Sequence, residues 1–387
     1  MTNEVIPVKC TLVRGGTSKA VFIMANELPR NPFQRDKTIL AIFGSPDPRQ
    51  LDGLGGADIT TSKLAIIGPS THPEADVDYT FGQVSLDKAF IDYGGNCGNI
   101  SSGVGPFAIN NNMVVPAEPV TTVRIHLTNS GSILLARVRV RGGRALVDGD
   151  CSIGGVPGTG SPIEMDWTRV QGSSTGRLIP TGQPVDSIEM DGRKYQVSII
   201  DAGNIVIYVR AEDFGLTGRE TPDQINGDRN LTGRIEKFRG LVCQKIGLVE
   251  TWADAALKTP YQPFVCFVAP PAAYQTYTGL SLAASDMDLL VRIYLMGAVV
   301  KAFPGTATAC TGFAARIPGS VVEQTLSTEA RAKERLSLGH PTGVIEFTSI
   351  GECPPGADLP SMREVSFIRT ARVLMEGIVY VRRSVLE

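Results

Sequence analysis

The chain repeats one order of elements in its two halves, and this repeat limits the folds that it can adopt. The stretches "VRGGTSKAVFIM" (13–24) and "IDAGNIVIYVRA" (200–211) each read as a strand, a glycine-containing turn and a second apolar strand. Later in each half follow a small-residue loop, a cysteine and a helix-like run, "GGNCGNISSGVGPFAI" (94–109) and "GTATACTGFAARIPGS" (305–320). The repeat predicts two similar domains. Coincidental similarity in a chain with 42 glycines is the alternative interpretation.

In this alignment Cys97 matches Cys310, so each half is predicted to present a cysteine near the N-terminus of a helix. A chain of 387 residues is long enough for two domains. The segment 151–193 is rich in Gly, Pro, Ser and Thr and reads as loops and a connection. We therefore predict an N-terminal domain over 1–190 and a C-terminal domain over 191–387.

Short β-like runs outnumber helical patterns along the chain. Further strands are predicted at 63–68 and 78–86, and a hairpin is predicted from 122–128 and 132–140 around Asn-Ser-Gly. Helical spacing of apolar residues predicts a helix over 234–248. Many strands with few helices favour an α+β fold.

Charge and composition exclude several classes of function. The formal net charge is −2 and the basic residues are dispersed, so no nucleic-acid partner is expected. No run approaches the roughly 18 apolar residues of a membrane span, and the N-terminus lacks a signal-peptide pattern. A soluble cytoplasmic protein without a membrane partner is expected. Whether it forms a homo-oligomer is left open.

Metal and hydrolase chemistry have little support in the sequence. The seven cysteines include no CxxC pair, which argues against a disulfide framework and a zinc site. His72, His126 and His340 are far apart, so no metal site is predicted. The string "GSSTG" (172–176) lies in the loop-rich segment 151–193, so no GxSxG elbow is predicted to anchor a Ser-His-Asp triad. There is also no P-loop or GxGxxG fingerprint for a nucleotide.

Cys97 is a candidate reactive thiol. It lies between Gly95 and Gly98, directly before the predicted helix. A helix N-terminus has unpaired N–H groups and the positive end of the helix dipole, so it attracts carboxylates and favours the thiolate form of a nearby cysteine. The alternative is a small buried apolar residue, which is the common role of a free cysteine.

Lys63 is a candidate base. It follows the glycine-rich stretch "GLGGADITTS" (53–62) and begins an apolar strand. Desolvation at the start of a buried strand lowers the pKa of a lysine toward the range in which it acts as a base. A solvated lysine at a strand end is the alternative.

Six stretches together resemble the successive signature blocks of the 2-methylaconitate isomerase family, whose relatives include 3-methylitaconate Δ-isomerase, 4-oxalomesaconate tautomerase and aconitate Δ-isomerase. The blocks extend from residue 12 to about 347 in family order. They are "LVRGGTSKAVFI", "DGLGGADITTSKLAIIGPS", "YGGNCGNISSGVGPFAI", "IDAGNIVIYVRAEDFG", "KAFPGTATACTGFAARIPGSVV" and "GHPTGVIEF".

This resemblance implies a diaminopimelate-epimerase-like fold. Two similar domains, each a curved, mostly antiparallel sheet around a central helix, would hold the active site in the cleft between them. The last strand is allowed to cross back to the first domain. The resemblance also implies catalysis without a cofactor or a metal, and it identifies Lys63 and Cys97 with the catalytic lysine and cysteine of the family.

The implied function is an isomerase that moves a proton across an allylic unit of a small unsaturated di- or tricarboxylate, such as an aconitate, methylitaconate or oxalomesaconate. The alternatives are cis–trans isomerisation of 2-methylaconitate, a two-cysteine racemase or epimerase, and a carboxylate-binding protein without enzymatic activity. The predicted substrate-binding residues are Thr17, Ser18, Ser62, Asn96, Gly98, Asn99, Asn204, Lys301, Thr306, Cys310 and Thr311.

Overall fold

The computed structural model describes residues 4–352, 354, 357 and 360–386. The strands are β1 (Val5–Gly15), β2 (Ser18–Met24), β3 (Lys63–Pro69), β4 (Val77–Val84), β5 (Ile91–Asp92), β6 (Val120–Leu127), β7 (Ser132–Arg141), β8 (Arg144–Ala145), β9 (Ile163–Asp166), β10 (Asp186–Met190), β11 (Arg193–Asp201), β12 (Ile205–Arg210), β13 (Phe264–Ala269), β14 (Tyr274–Gln275), β15 (Ser281–Leu282), β16 (Leu289–Leu295), β17 (Ala298–Val299), β18 (Arg335–His340), β19 (Gly343–Glu352), β20 (Ser361–Arg369) and β21 (Ala371–Arg382).

The α-helices are α1 (Pro32–Phe43), α2 (Gly98–Asn110), α3 (Pro222–Asn226), α4 (Arg229–Lys245), α5 (Ala255–Lys258), α6 (Gly305–Ala314), α7 (Val321–Thr325) and α8 (Thr328–Ala332). Short 3-10 helices lie at Ala25–Glu27, Ala211–Phe214, Trp252–Asp254, Ala284–Asp286 and Arg383–Val385.

The chain divides into two compact units. The first unit comprises Met1–Ser152, Val156–Met165 and Arg369–Glu387, and the second comprises Ile153–Gly155 and Asp166–Ile368. The boundary at 190 that the sequence suggests therefore falls inside the second unit, which begins before the loop-rich segment ends. Strand β21 belongs to the first unit, although the chain reaches it last.

The sheet of the first unit follows the order β21-β1-β2-β3-β4-β6-β7. Neighbouring strands are antiparallel except in the pairs β2–β3 and β4–β6, which are parallel. Strand β21 pairs with β1 from Val5 opposite Arg382 to Gly15 opposite Ala371. Because side chains alternate between the faces, each strand presents one face to helix α2.

From β11 to β19, the sheet of the second unit has the same connectivity as the first sheet has from β1 to β7. Its order is β10-β11-β12-β13-β16-β18-β19-β20, with parallel pairs β12–β13 and β16–β18. The two parallel pairs occupy the same places in the order as those of the first unit. The predicted repeat is therefore a repeat of topology, and the predicted strand–turn–strand elements at 13–24 and 200–211 are both confirmed.

Each sheet surrounds one helix that is buried on nearly every side. Helix α2 is buried along almost its whole length, and every residue of α6 is buried. Neither helix carries a charged residue, as expected for a helix without a solvent-facing stripe. Helices α1 and α4 pack against the other face of their sheets through apolar residues such as Ile39 and Phe238.

Among the described residues, none of the helices combines the length and the apolar composition that a membrane crossing requires.

Candidate active site

Two glycines bring the turn between β1 and β2 against the first turn of α2. A Cβ at Gly15 would lie 2.6 Å from the Asn99 carbonyl oxygen, and one at Gly16 would lie 2.3 Å from Asn99 Oδ1. Gly16 also has a φ of +49°, which side-chain-bearing residues adopt rarely. The "RGG" sequence is therefore required for close contact between the turn and the helix.

Asn99 joins three segments of the first unit. Its Nδ2 donates to Thr17 Oγ1 over 3.0 Å, and its Oδ1 accepts from Arg369 Nε over 3.1 Å. The neighbouring carbonyl of Thr370 accepts from Gly16 N at 2.9 Å. Arg369 and Thr370, which precede β21, thus connect the last strand by hydrogen bonds to the N-terminal turn of α2 (the helix mouth) and to the turn beside it.

Arg369 places a buried positive charge beside this helix mouth. Only 3% of the residue is exposed, and burial lowers its pKa to about 10, so the guanidinium remains charged at neutral pH. Negative charge on Cys151 and, to a smaller extent, on Cys97 opposes that lowering. Because electrostatic coupling is reciprocal, Arg369 favours negative charge at this end of the helix.

Lys63 is the first residue of β3 and is only 4% exposed. Its Nζ donates to Gln83 Oε1 over 2.6 Å and lies 5.2 Å from the centroid of the Phe81 ring. Burial lowers the pKa of Lys63, while the charge of Cys97, that of Asp58 and a hydrogen bond to Cys97 oppose the shift. A buried lysine with a lowered pKa is suited to act as a base.

Cys97 is the N-cap residue of α2 and is 6% exposed. Its carbonyl accepts the first helical hydrogen bond, from Ser101 N at 2.9 Å. The amides of Gly98, Asn99 and Ile100 precede that bond, so helix geometry gives them no intrahelical acceptor. The thiol therefore lies beside a set of N–H donors and within hydrogen-bonding reach of Lys63.

The second unit repeats the contact between turn and helix. Asn204 Nδ2 donates to Thr306 Oγ1 over 2.9 Å. Asn204 lies in the turn and Thr306 is the second residue of α6, so the residue types are exchanged relative to Thr17 and Asn99. Gly203, at a φ of +85°, gives this turn its close approach.

The lysine and the thiol are not repeated. The N-cap of α6 is Pro304, where the first unit has Cys97. Strand β13, which corresponds to β3, begins with Phe264, where the first unit has Lys63. The pair of a buried lysine and an N-cap cysteine is thus confined to the first unit.

The predicted equivalence of Cys97 and Cys310 is wrong. Cys310 is the sixth residue of α6 and lies one and a half turns beyond its N-terminus. Its thiol is completely buried, and its one proton can be donated to the carbonyl of Ala202 (3.1 Å) or of Asn204 (3.0 Å). Burial is the main cause that raises the pKa of this thiol. These contacts favour a packing role that holds the turn on the helix. The substrate contact of Cys310 expected from the sequence stays a prediction.

The other predicted substrate-binding residues have diverse surroundings. Ser62 is fully buried and donates to Gln50 Oε1 at 2.6 Å, and Asn96 donates to Ser130 Oγ at 3.2 Å. Thr311 Oγ1 donates to the Ala307 carbonyl at 2.7 Å. Lys301 is exposed in the loop before α6, with its Nζ 4.7 Å from the centroid of the Tyr277 ring.

Ser18 and Gly98, the last two predicted residues, lie beside Thr17 and Asn99 in the first unit. Ser18 begins β2 opposite Gly15, and Gly98 is the first residue of α2. In the first unit, therefore, the structure brings together Thr17, Ser18, Lys63, Cys97, Gly98 and Asn99.

Sequence reasoning missed Gln83 and Arg369. Gln83 is a polar residue among the consecutively buried positions 81–84 of β4, and the β3–β4 register places it directly opposite Lys63. A polar residue at a buried strand position was the available signal. Arg369 has no comparable signal, because only the tertiary fold brings it to Asn99.

The cysteines and histidines that the structure describes form no metal cluster. Among the residues that the structure describes, no group of three or more His, Cys, Asp or Glu side chains could hold a metal ion. Cys10, Cys243 and Cys266 are buried, as their apolar surroundings predict, and Cys151 is partly exposed. Cys353 lies outside the described residues.

Comparison with known proteins gives one family over nearly the whole chain. The model of the PrpF protein family matches residues 5–382. The chain is 49% identical to 3-methylitaconate isomerase of Eubacterium barkeri, over 99% of this chain and 100% of the relative. It is 38% identical to 2-methyl-aconitate isomerase of Shewanella oneidensis (98% and 99% covered) and 37% identical to 4-oxalomesaconate tautomerase of Pseudomonas putida (97% and 96% covered).

Solved structures give the same relationship. A crystal structure of methylitaconate-delta-isomerase superposes with a TM-score of 0.81 at 47% identity, covering 100% of this chain and 98% of that one. A hydroxyproline epimerase from Agrobacterium vitis superposes with a TM-score of 0.55 at 11% identity, covering 98% and 93%. The second match concerns the fold alone, and it confirms the epimerase-like α+β class predicted from the sequence.

Proposed function

Because this chain belongs to the PrpF protein family, we propose that it is an isomerase that moves a proton across an allylic unit of a small unsaturated di- or tricarboxylate. Three relatives that share at least 37% of its residues carry isomerase or tautomerase names, and their substrates are carboxylates of this class. We rank methylitaconate first as substrate, since the 3-methylitaconate isomerase shares 49% identity over the full length.

The observation that carries the proposal is the pairing of Lys63 with Cys97. A buried lysine with a lowered pKa lies within hydrogen-bonding reach of a thiol at the mouth of a buried helix. Two groups that exchange protons are what an allylic shift requires, because one carbon loses a proton and another gains one.

The proposed reaction begins with neutral Lys63, which takes a proton from the carbon next to the C=C bond. The electron pair of that C–H bond spreads through the double bond onto the conjugated carboxylate and forms a dienolate. The N–H groups of Gly98 and Asn99 and the guanidinium of Arg369 stabilise this negative charge. Preorganised donors of this kind typically make the largest contribution to catalysis.

The second half of the reaction delivers a proton to the far carbon. Cys97 gives up its thiol proton there, and the double bond forms in its new position. Lys63 is then an ammonium and Cys97 a thiolate. Their hydrogen bond returns the proton from nitrogen to sulfur, so both groups are reset without an external acid or base. This cycle needs no cofactor.

The second unit supplies a further carboxylate site in this proposal. The turn at Asn204 and the first turn of α6 reproduce the binding contacts without a lysine or a thiol. Because the N-cap there is Pro304, the second unit has no counterpart of Cys97 for a two-cysteine racemase. Proton transfer is therefore assigned to the first unit, and a carboxylate site without proton transfer to the second.

Cis–trans isomerisation is the second candidate, and the 38% identical 2-methyl-aconitate isomerase is the observation that favours it. The same dienolate allows rotation about the former double bond before the proton returns. The two reactions therefore share the first step and differ in the carbon that is reprotonated.

We place the reaction in the cytoplasm, since free thiols are typical of reducing compartments.

Proton NMR in D₂O tests the proposal. The protein is mixed in turn with methylitaconate, 2-methylaconitate, cis- and trans-aconitate and oxalomesaconate. In at least one of these acids we expect the double bond to shift and deuterium to appear at the allylic carbons. Methylitaconate is the acid in which we expect this most. A protein that binds these acids but exchanges no proton in any of them is a carboxylate-binding protein, and the proposed isomerase function is then wrong.

A further inference from the structure

We propose that Gln83 is the positioning residue of Lys63, because it supplies an uncharged hydrogen-bond acceptor that keeps the lysine available as a base near neutral pH. This inference rests on the proposed role of Lys63. Gln83 acts through the lysine amine and is not assigned any contact with the substrate.

The amide of Gln83 has a fixed orientation. Its Nε2 donates to the carbonyls of Ile59 (3.2 Å) and Ser62 (3.1 Å), both in the loop that leads into β3. Gln83 is 1% exposed. A flipped amide would set its carbonyl oxygen against two other carbonyl oxygens, so Oε1 must face Lys63.

The position is also set by strand pairing. Lys63 and Gln83 are directly opposite in the antiparallel β3–β4 pair, so their side chains lie on the same face of the sheet. Lys63 Nζ donates to Gln83 Oε1 over 2.6 Å. Residue 83 therefore determines which chemical group receives this hydrogen bond.

The charge of that group matters because the lysine is buried. Burial lowers the pKa of Lys63, and an amide acceptor leaves most of that shift in place. The titratable groups that act on Lys63 are Cys97, at the start of α2, and Asp58, in the preceding loop. The Phe81 ring on β4 adds a weaker preference for the ammonium. A carboxylate at position 83 would favour the ammonium much more strongly than any of these.

Two substitutions test this with opposite expected signs. Gln83→Glu should move the ascending limb of the pH profile of kcat/KM to higher pH, because the base is active only when neutral. A shift of one pH unit lowers kcat/KM at pH values below the limb about tenfold, and activity should recover at higher pH. Gln83→Met removes the acceptor, so the limb should move to lower pH with a reduced kcat.

A measurement without substrate separates this inference from the proposed function. The ¹³Cε signal of Lys63 reports its protonation directly, and it is assigned by its absence from Lys63→Met. The midpoint of its pH titration should rise in Gln83→Glu and fall in Gln83→Met. If the midpoints move in this way but activity has no matching ascending limb, the role of Gln83 stands and Lys63 is not the base.

Folding is checked by circular dichroism, because Gln83→Glu loses the two bonds to Ile59 and Ser62. A folded Gln83→Glu whose Lys63 midpoint is unchanged or lower overturns the inference. If Gln83→Glu does not fold, Gln83→Met decides alone. An unchanged midpoint and an unchanged kcat in that variant show that residue 83 does not position the lysine.

Discussion

Asn204 donates a hydrogen bond to Thr306 over 2.9 Å, and this contact is the counterpart, with the residue types exchanged, of the one between Asn99 and Thr17. Both pairs hold a glycine-containing turn on the first turn of a buried helix. The same hydrogen-bonded contact between turn and helix therefore occurs in both units, although Lys63 and Cys97 belong to the first unit alone.

Thr306→Val should weaken substrate binding with little change in chemistry. The substitution keeps the shape of the side chain but removes the hydroxyl that accepts from Asn204, so the turn loses its connection to α6. We expect KM to rise several-fold while kcat stays within about threefold, as for the loss of uniform binding. Steady-state kinetics measure both constants. An equal loss in kcat would mean that the second unit takes part in proton transfer.

Lys63→Met should abolish turnover while the fold is retained. Loss of a general base typically reduces the rate by about 10²–10⁴-fold. Methionine keeps most of the buried volume. Lys258→Met, at an exposed position on α5, is the matched control and should have native activity. A kcat near the native value in Lys63→Met would remove Lys63 from the mechanism.

The same substitution should stabilise the protein near neutral pH. The pKa of Lys63 is lower in the folded chain than in the unfolded one, so unfolding takes up a proton at any pH between these two values. Native stability then falls as the pH drops from about 10.5 toward the folded pKa. Because methionine has no such dependence, the melting temperature of Lys63→Met should exceed that of the native chain at pH 7, and the difference should narrow as the pH approaches 10.5. A lower melting temperature at pH 7 would contradict this.

Cys97 should be alkylated more slowly when a polycarboxylate is bound. The N–H groups at the helix N-terminus, beside this thiol, are also the proposed binding site of the competing carboxylate. The same labelling with a neutral polyol in place of the polycarboxylate is the control, and it should leave the rate at Cys97 unchanged. Mass spectrometry after limited reaction with iodoacetamide measures the labelling of Cys97 in both samples. Equal slowing by the polyol and the polycarboxylate would contradict a carboxylate site at this helix N-terminus.

Cys310→Ala should lower stability more than activity. Its thiol donates to the Ala202 or the Asn204 carbonyl, and both carbonyls would remain buried with one donor fewer between them. A loss of about 1–2 kcal/mol in the free energy of unfolding is expected, with kcat within about threefold of native. Urea unfolding and steady-state kinetics measure these quantities. If kcat instead falls as far as in Lys63→Met, the second thiol is catalytic and a two-cysteine mechanism becomes the better account.

The sequence was sufficient to predict the repeat, because strands, glycine turns and apolar runs are local signals. It misplaced Cys310, because the two halves were aligned on their cysteines. The helices instead align on Gly98 and Gly305, and the Pro304-Gly305 pair was the local sign of a helix start. Gln83 became visible only with the strand register, and Arg369 only with the complete fold.

The pairing of β21 with β1 determines when this protein can acquire its active half during synthesis. The second unit ends at Ile368, so all of its residues have been translated before β21 exists. The first unit needs Arg369 beside Asn99 and eleven residue pairs between β1 and β21. The half of the protein that is translated first is therefore the half that is completed last, and a chain that stops short of residue 369 would contain Lys63 and Cys97 without the strand that finishes their sheet.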